Sequence, residues 1–380
     1  VTRLRWTTAG ESHGAALVGV IEGIPAGLEL DLARIDAELA RRQRGYGRGG
    51  RMKIETDAVR LLSGVRVGRT LGSPLALELE NKDHTIERLG VPTSARPGHA
   101  DLAGCQKLGE RDPRAVLERA SARETAMRTA LGAVARQVLE HFGVELFAHV
   151  VELGGGRVRQ DAFETAGAER QKLRESSVFF ALDPAVEPDW TARVDAAKAA
   201  GDTLGGVFEV QVLGLAPGLG SYHSGPERLT SRLGAALLSI PAIKGVEFGL
   251  GFEAARRPGS EVHDAIVSRP GPHGRFGRAT NRAGGLEGGM TTGEPLVVRV
   301  AMKPISTLRR GLPTVDFESG ESVLSTWQRS DVTSVPAASV VGEAVVALAL
   351  AEAFLERFGG DSLAQVESAY REHLARLATL

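Results

Sequence analysis

Eight glycines fall between Arg269 and Gly293, at positions 271, 274, 277, 284, 285, 288, 289 and 293. So dense a run adds no side chains to a hydrophobic core. Glycine tolerates positive φ and lets the backbone approach a ligand closely. Arg269, Arg275, Arg278 and Arg282 are interleaved with it and offer planar forks suited to phosphate or carboxylate. The chain then turns apolar over Leu296–Met302, a strand pattern. It closes on Lys303-Pro304-Ile305-Ser306-Thr307, which brings a cation and two hydroxyls. A glycine-rich backbone leading into a strand is expected to receive a phosphorylated cofactor. The alternative is a solvated basic loop.

A chain of 380 residues can bury one large core or two moderate ones, and a single domain over 1–380 is expected. Aromatic residues are only 5%, so the core must lean on Leu, Val and Ala. A formal net charge of -1 argues against global attraction of nucleic acid. The lone cysteine, Cys105, forbids an intrachain disulfide and fits a reducing cytoplasm. No stretch is expected to reach the roughly 20 apolar residues of a membrane span. The polar opening residues, with Glu11 and His13, give no signal-peptide pattern.

Strands are expected at Arg3–Thr8, Leu17–Ile21, Arg60–Val67, Pro74–Glu80, Glu145–Leu153 and Val207–Leu213. Asp31 reads as an N-cap before a helix whose Ile35 and Leu39 share a face. Asn81–Pro113 lacks periodicity and reads as one long loop. Ser121 and Glu124 form a capping-box pattern opening a helix to about His141, with a small face of Ala126, Ala130, Ala133 and Val134. A second Ala/Val-rich helix follows Asp331–Pro336, and Glu164–Arg174 and the tail beyond Asp361 read as polar helices. A weak echo links Val18–Leu28 with Val210–Leu219, and Leu139–Gly143 with Leu355–Gly359, in the same order. It suggests two similar halves with the small-faced helices at the centre.

His13 stands in a glycine-flanked turn beside Ser12, where an imidazole can move protons near neutral pH. His99, in Arg96–Asp101, is a second candidate, and both have an ordinary structural alternative. Asp331 reads equally as a proton acceptor or as an N-cap. Ser121 can cap its helix, touch an anion at that helix start, or do both. No metal-ligand spacing, P-loop, dinucleotide fingerprint or GxSxG elbow is present. The arginines of Arg41–Lys53 could form an RNA-binding arm, but Tyr46 is the only aromatic among them, and a small polyanion explains them better.

GESHG at Gly10–Gly14, RRQRGYGRGGR at Arg41–Arg51, RPGHAD at Arg96–Asp101 and RASARETA at Arg119–Ala126 are followed by Arg269–Gly293, KPISTL at Lys303–Leu308 and RSDVTSVPA at Arg329–Ala337. In this order they resemble the chorismate synthase family across nearly the whole chain. The resemblance implies an α+β fold, a β-α-β sandwich with central helices between two antiparallel sheets and pseudo-twofold halves, assembled as a homotetramer. It implies conversion of 5-enolpyruvylshikimate 3-phosphate to chorismate and phosphate by anti-1,4-elimination, with reduced FMN and no net redox change. Arg42, Arg48, Arg51, Arg96, Arg123 and Arg329 would face the substrate. Arg42 and Arg48 would also meet NADP. The flavin would meet Arg119, Ala120, Ser121, Ala242, Gly288, Lys303, Pro304, Ile305, Ser306, Thr307 and Arg329. On this scheme His13 protonates the leaving phosphate and His99 holds or protonates the flavin. The C6 hydrogen passes to flavin N5 and then to Asp331, with Ser12 and Ser121 relaying or orienting. NADPH or an external reductase would reduce the flavin; no metal, nucleic acid or membrane is implied. Ala120 departs from a serine common in the family, and Thr333 stands where many relatives carry cysteine. A polyanion-binding protein and a flavin oxidoreductase are the rival classes.

Overall fold

The computed structural model describes residues 3–49, 56–159, 167–271, 274–325 and 331–380. Arg51 and Arg329 therefore lie outside the described residues. We number the strands of the two main sheets β1 (Arg5–Ala9), β2 (Ala16–Glu22), β3 (Arg60–Ser63), β4 (Leu75–Glu80), β5 (Glu145–Leu153), β6 (Gly156–Arg157), β7 (Gly206–Leu213), β8 (Ile243–Phe248) and β9 (Leu296–Met302). The helices are α1 (Leu32–Gln43), α2 (Asp101–Leu108), α3 (Arg114–Arg119), α4 (Thr125–His141), α5 (Gly167–Ser176), α6 (Glu187–Ala199), α7 (Leu229–Leu238), α8 (Val335–Phe358) and α9 (Leu363–Thr379).

Alternation builds the sheets. In β2, Leu17, Gly19 and Ile21 face one way and Val18 and Val20 the other; in β4, Leu75, Leu77 and Leu79 are buried. The first sheet has the order β1-β2-β4-β3, and the second β8-β9-β7-β5-β6, all antiparallel. Labelled by appearance within each half, the four long strands follow one order in both sheets: first, second, fourth, third. α1 follows the second strand in one half, and α7 does so in the other; α4 and α8 close the halves. The pseudo-twofold expected from the sequence is thus a repeated topology, and α1, α4, α7 and α8 fill the layer between the sheets.

α4 and α8 make the closest helix crossing of that layer. A Cβ added at Gly132 would stand 2.5 Å from the Ala344 Cβ and 2.6 Å from the Ala344 carbonyl oxygen. The small faces foreseen for both helices exist for this approach. Beside the crossing lies Glu343, only 2% exposed. It accepts from Arg41 of α1 at 3.2 Å, from Arg136 of α4, and from the Ala148 amide of β5 at 3.0 Å. Arg174 of α5 stands 3.5 Å away. Burial alone would raise the Glu343 carboxyl, but Arg41, Arg136 and Arg174 together hold it well below the ordinary value.

Four expectations need correction. α8 is 24 residues long and apolar enough to cross a membrane by length and composition; its most apolar window is 94% buried inside the protein, so it is a core helix. Asn81–Pro113 is not one loop: it contains the short helix Ile86–Arg88 and α2. The box at Ser121 is half formed. Ser121 Oγ accepts from the Arg123 amide, but Glu124 reaches across to Thr8 and along to Arg128, and α4 proper starts at Thr125. The glycine-rich stretch folds into two hairpins, Ile266–Gly271 with Gly274–Arg278 and Leu286–Glu287 with Met290–Thr291. There Arg269 pairs with Glu294 and Arg278 with Glu287, which directs both side chains to protein carboxylates.

Two outcomes follow from this packing. Gly132→Val must separate α4 from α8, and overpacking of this kind should lower stability by about 1–3 kcal/mol in denaturant unfolding. Because Glu343 is depressed from an ordinary value of 4.5, its contribution is present above that pH and is lost as pH falls below it. Glu343→Gln should lose about 3–5 kcal/mol at neutral pH by stranding buried arginines. It should also remove part of the acid-side decline, as read by unfolding across a pH series.

Candidate active site

The turn joining β1 to β2 carries Ser12 and His13, and α3 fixes both. The Ser12 amide donates to the Glu118 carbonyl at 3.1 Å. The Glu118 carboxylate, whose side chain is fully buried, accepts from the His13 amide at 2.9 Å and lies 2.9 Å from His13 Nδ1. Arg114, one helical turn earlier, donates to its other oxygen at 3.2 Å. Burial pushes the Glu118 carboxyl up, yet the His13 contacts and Arg114 hold it below the usual range. A carboxylate only accepts, so His13 Nδ1 carries the proton in this pair. Ser12, 3% exposed, accepts from Ser121 Oγ at 3.1 Å, which ties the turn to the start of α4. Arg119 donates to the carbonyls of Thr8 and Gly10 and so holds the end of β1. Ala120 caps α3 through its amide.

Beside this turn, three arginines converge. Arg123 places Nη1 on both oxygens of Asp57, at 2.7 and 2.8 Å, and Nε on Asn81 at 2.8 Å. Arg42, from the last turn of α1, donates to Thr125 Oγ1 and the Ala122 carbonyl. Arg48 meets Asp331 at 3.0 Å. The Arg42 guanidinium is pushed down to about 10, first by burial and then by the like charges of Arg48 and Arg123, against the opposing pull of Asp57 and Asp331. Asp331 does not cap α8. It accepts from the Gly49 amide at 2.6 Å and from Ser334 Oγ at 2.5 Å, so it pins the arginine loop to the approach of that helix.

A second cluster forms around the turn Arg96–His99. Asp101, at the first position of α2, accepts from the Arg96 amide, Nε and Nη2, and lies 2.5 Å from His99 Nδ1. Burial would raise the Asp101 carboxyl, but His99 and Arg96 keep it far below the usual range. Arg96 Nη2 also stands 3.0 Å from His99 Nδ1, so that nitrogen either donates to Asp101 or accepts from Arg96. Arg96 Nη1 reaches Thr307 Oγ1 at 3.3 Å. Lys303 Nζ donates to Ser306 Oγ at 2.8 Å, and Ser306 donates to the Gly98 carbonyl at 2.8 Å. Partial burial and Lys244 lower the Lys303 ammonium. Ala242, at φ 70°, accepts from the Lys303 amide at 2.9 Å. Pro304 lies between Lys303 and Ile305, whose carbonyl accepts from Thr203.

Most of the expected residues thus fall into two clusters, and α2 and α3 join them. Gly104 of α2 packs on Val116 of α3, where a Cβ would come within 2.3 Å of the Val116 side chain. Gly288 forms part of neither cluster; it lies in the turn of the second hairpin, which pairs with Gly220 and receives the Leu229 amide. Sequence reasoning missed Glu118, Asp57 and Asn81. Each acts across 42 to 105 positions, and nothing local marks it. Asp101 was in view within its motif, and its spacing of two from His99 was the available signal. Among the described residues no group of three or more His, Cys, Asp or Glu could hold a metal ion.

Chemically, the site offers two imidazoles set on carboxylates, a crowd of guanidiniums and a lysine beside two hydroxyls. Comparisons with known proteins agree on what such a chain is similar to. A family model described as chorismate synthase matches residues 4–355. Chorismate synthase from Trichlorobacter lovleyi is 52% identical over 391 residues, covering 98% of this chain and 99% of the relative. That of Nocardia farcinica is 52% identical and covers 99% and 96%. A crystal structure of chorismate synthase superposes with a TM-score of 0.83 at 41% identity, over 100% of this chain and 99% of the other. The chain belongs to the chorismate synthase family and is, with it, a lyase.

Proposed function

We propose that the chain eliminates phosphate from 5-enolpyruvylshikimate 3-phosphate to give chorismate, in the anti-1,4 sense, with reduced FMN bound alongside and no net redox change. One observation supports the substrate above all: Arg42, Arg48 and Arg123 converge beside the His13 turn, with Arg42 pushed down first by burial and then by the like charges of its neighbours. A ligand bearing two carboxylates and a phosphate relieves that crowding, and a neutral one does not. Arg96, Arg51 and Arg329 complete the proposed substrate set.

The donor set around Gly98 fits a flavin phosphate: an ammonium, the hydroxyls of Ser306 and Thr307, and Arg96. Arg119, Ala120, Ser121, Ala242, Gly288, Pro304, Ile305 and Arg329 are the other proposed flavin contacts. When bound there, reduced FMN would supply the electron density that the elimination calls on, with no net redox change. The chain's own residues do the rest. His13 delivers a proton from Nε2 to the phosphate oxygen as the C3–O bond breaks, and the bonding pair leaves with phosphate. His99 holds a proton on the flavin side, while Asp331 accepts the proton lost from C6. Ser12 and Ser121 orient the His13 turn. Arg42 and Arg48 would hold NADPH as the source of reducing equivalents, or a separate reductase would supply the reduced flavin. A cytoplasmic homotetramer completes the proposal.

Anaerobic turnover with photoreduced FMN, following chorismate and phosphate, tests the reaction; stoichiometric NADPH oxidation with product would replace it with an oxidoreductase. His13→Ala, His99→Ala and Asp331→Ala should each lose about 10² to 10⁴-fold in kcat while still folding. Wild-type turnover in any of them removes that residue's role. Lys303→Ala should weaken FMN binding about tenfold or more in a fluorescence titration, the loss of a charge-assisted hydrogen bond. Unchanged affinity would move the flavin phosphate elsewhere.

A further inference from the structure

We infer that Glu118 is a positioning residue for His13, fixing which ring nitrogen carries the mobile proton. The inference rests on the proton-donor role proposed for His13. Three observations carry it. One buried carboxylate receives both the backbone amide and the ring Nδ1 of the same histidine, at 2.9 Å each. That double grip fixes the position of the residue and the rotation of its ring together. The Ser12 amide donates to the carbonyl of the same glutamate, so α3 holds two successive residues of the turn. And Arg114 donates to the other oxygen of the carboxylate, so Glu118 cannot turn away without giving up that ion pair.

The chemistry follows from the donor inventory. With Nδ1–H committed to Glu118, a neutral His13 has its lone pair on Nε2, and a protonated His13 has its labile proton there. Proton delivery to the phosphate oxygen then always proceeds from Nε2 and returns the ring to the tautomer that Glu118 already holds. Glu118 stays ionised throughout, so it accepts from Nδ1–H before and after transfer. The charged groups on the elements around the pair are Arg114 on α3, Glu11 in the same turn, and Glu87 and Arg88 on the helix Ile86–Arg88, whose first amide donates to the His13 carbonyl. His99 does not share this definition, because its Nδ1 stands within reach of both Asp101 and Arg96.

Replacing the carboxylate by an amide turns an acceptor into a donor. In Glu118→Gln the new NH₂ must face either Arg114 or the two His13 N–H groups. Facing His13, it drives the ring proton from Nδ1 to Nε2. Two readouts test this in the full-length protein with reduced FMN and 5-enolpyruvylshikimate 3-phosphate. The first is ¹⁵N NMR of histidine-labelled protein, with the His13 signals identified by their loss in His13→Gln. Wild type should show Nδ1 protonated near neutral pH, and Glu118→Gln should shift the population toward Nε2–H. The second is the pH profile of turnover. Glu118→Gln should lower kcat about 10²-fold and move the alkaline fall in activity to lower pH by about one unit, whereas Glu118→Asp should keep the wild-type profile at a reduced rate. A merely structural glutamate would lower rate or stability without moving either readout. The inference is overturned if wild type carries its proton on Nε2 with Nδ1 bare, or if Glu118→Leu, which leaves Nδ1 without this acceptor, keeps both tautomer and profile. Should Glu118→Gln fail to fold, the wild-type spectrum and the Glu118→Asp profile still decide. Full turnover in His13→Gln would instead defeat the proton-donor role, and the tautomer measurement would then report on the Glu118 contact alone.

Discussion

Everything in this fold hangs on how closely α4 can approach α8. A side chain at Gly132 or a larger residue at Ala344 would hold the two halves apart. The approach is sealed by Glu343, whose carboxylate gathers arginines from α1, α4 and α5 and an amide from β5. A buried charge network of this kind adds little net stability compared with apolar packing, but it demands one arrangement of its partners. Arg41 is the partner that connects this network to the candidate site. By fixing the last turn of α1 it sets the direction in which Arg42 leaves the helix toward Thr125 and Asp57.

The site is then assembled from both halves. Ser12, His13, Arg42, Ser121 and Arg123 come from the first; Lys303, Ser306, Thr307 and Asp331 come from the second. Asp331 crosses back to Gly49 and Arg48, and Ser306 crosses back to Gly98. Between them the α2–α3 pair presents one carboxylate at its first residue and another near its last, each set against an imidazole. The two histidines on turns gain their precision here from buried acids on neighbouring helices.

The sequence made the regular elements legible wherever one face is buried and the other is not. The alternation of β2 and the small face of α4 are cases in point, and the Asp31 cap formed as its residue type requires. The echo between halves was real, since strand order repeats even where side chains have diverged. Composition alone left more open. Glycine and arginine around residues 269–293 read as an anion cradle, and in the folded chain two of those arginines pair with Glu287 and Glu294. α2 shows no buried apolar stripe to read, because both its leucines are exposed and only Asp101 and Cys105 are buried. Glu118 was invisible for a different reason. It looks like any acidic residue in a charged helix until the fold brings it to His13 from 105 positions away.

The carboxylates that hold these cations have a consequence for how a ligand arrives. Arg123 comes to the site on Asp57, Arg48 on Asp331, and Arg96 on Asp101. Seen from the solvent, the region is closer to neutral than its guanidiniums suggest, so long-range attraction of a polyanion is weak and added salt screens little of it. For the substrate proposed above, selectivity is then exerted at short range, where its phosphate or carboxylate must compete with an aspartate already in place.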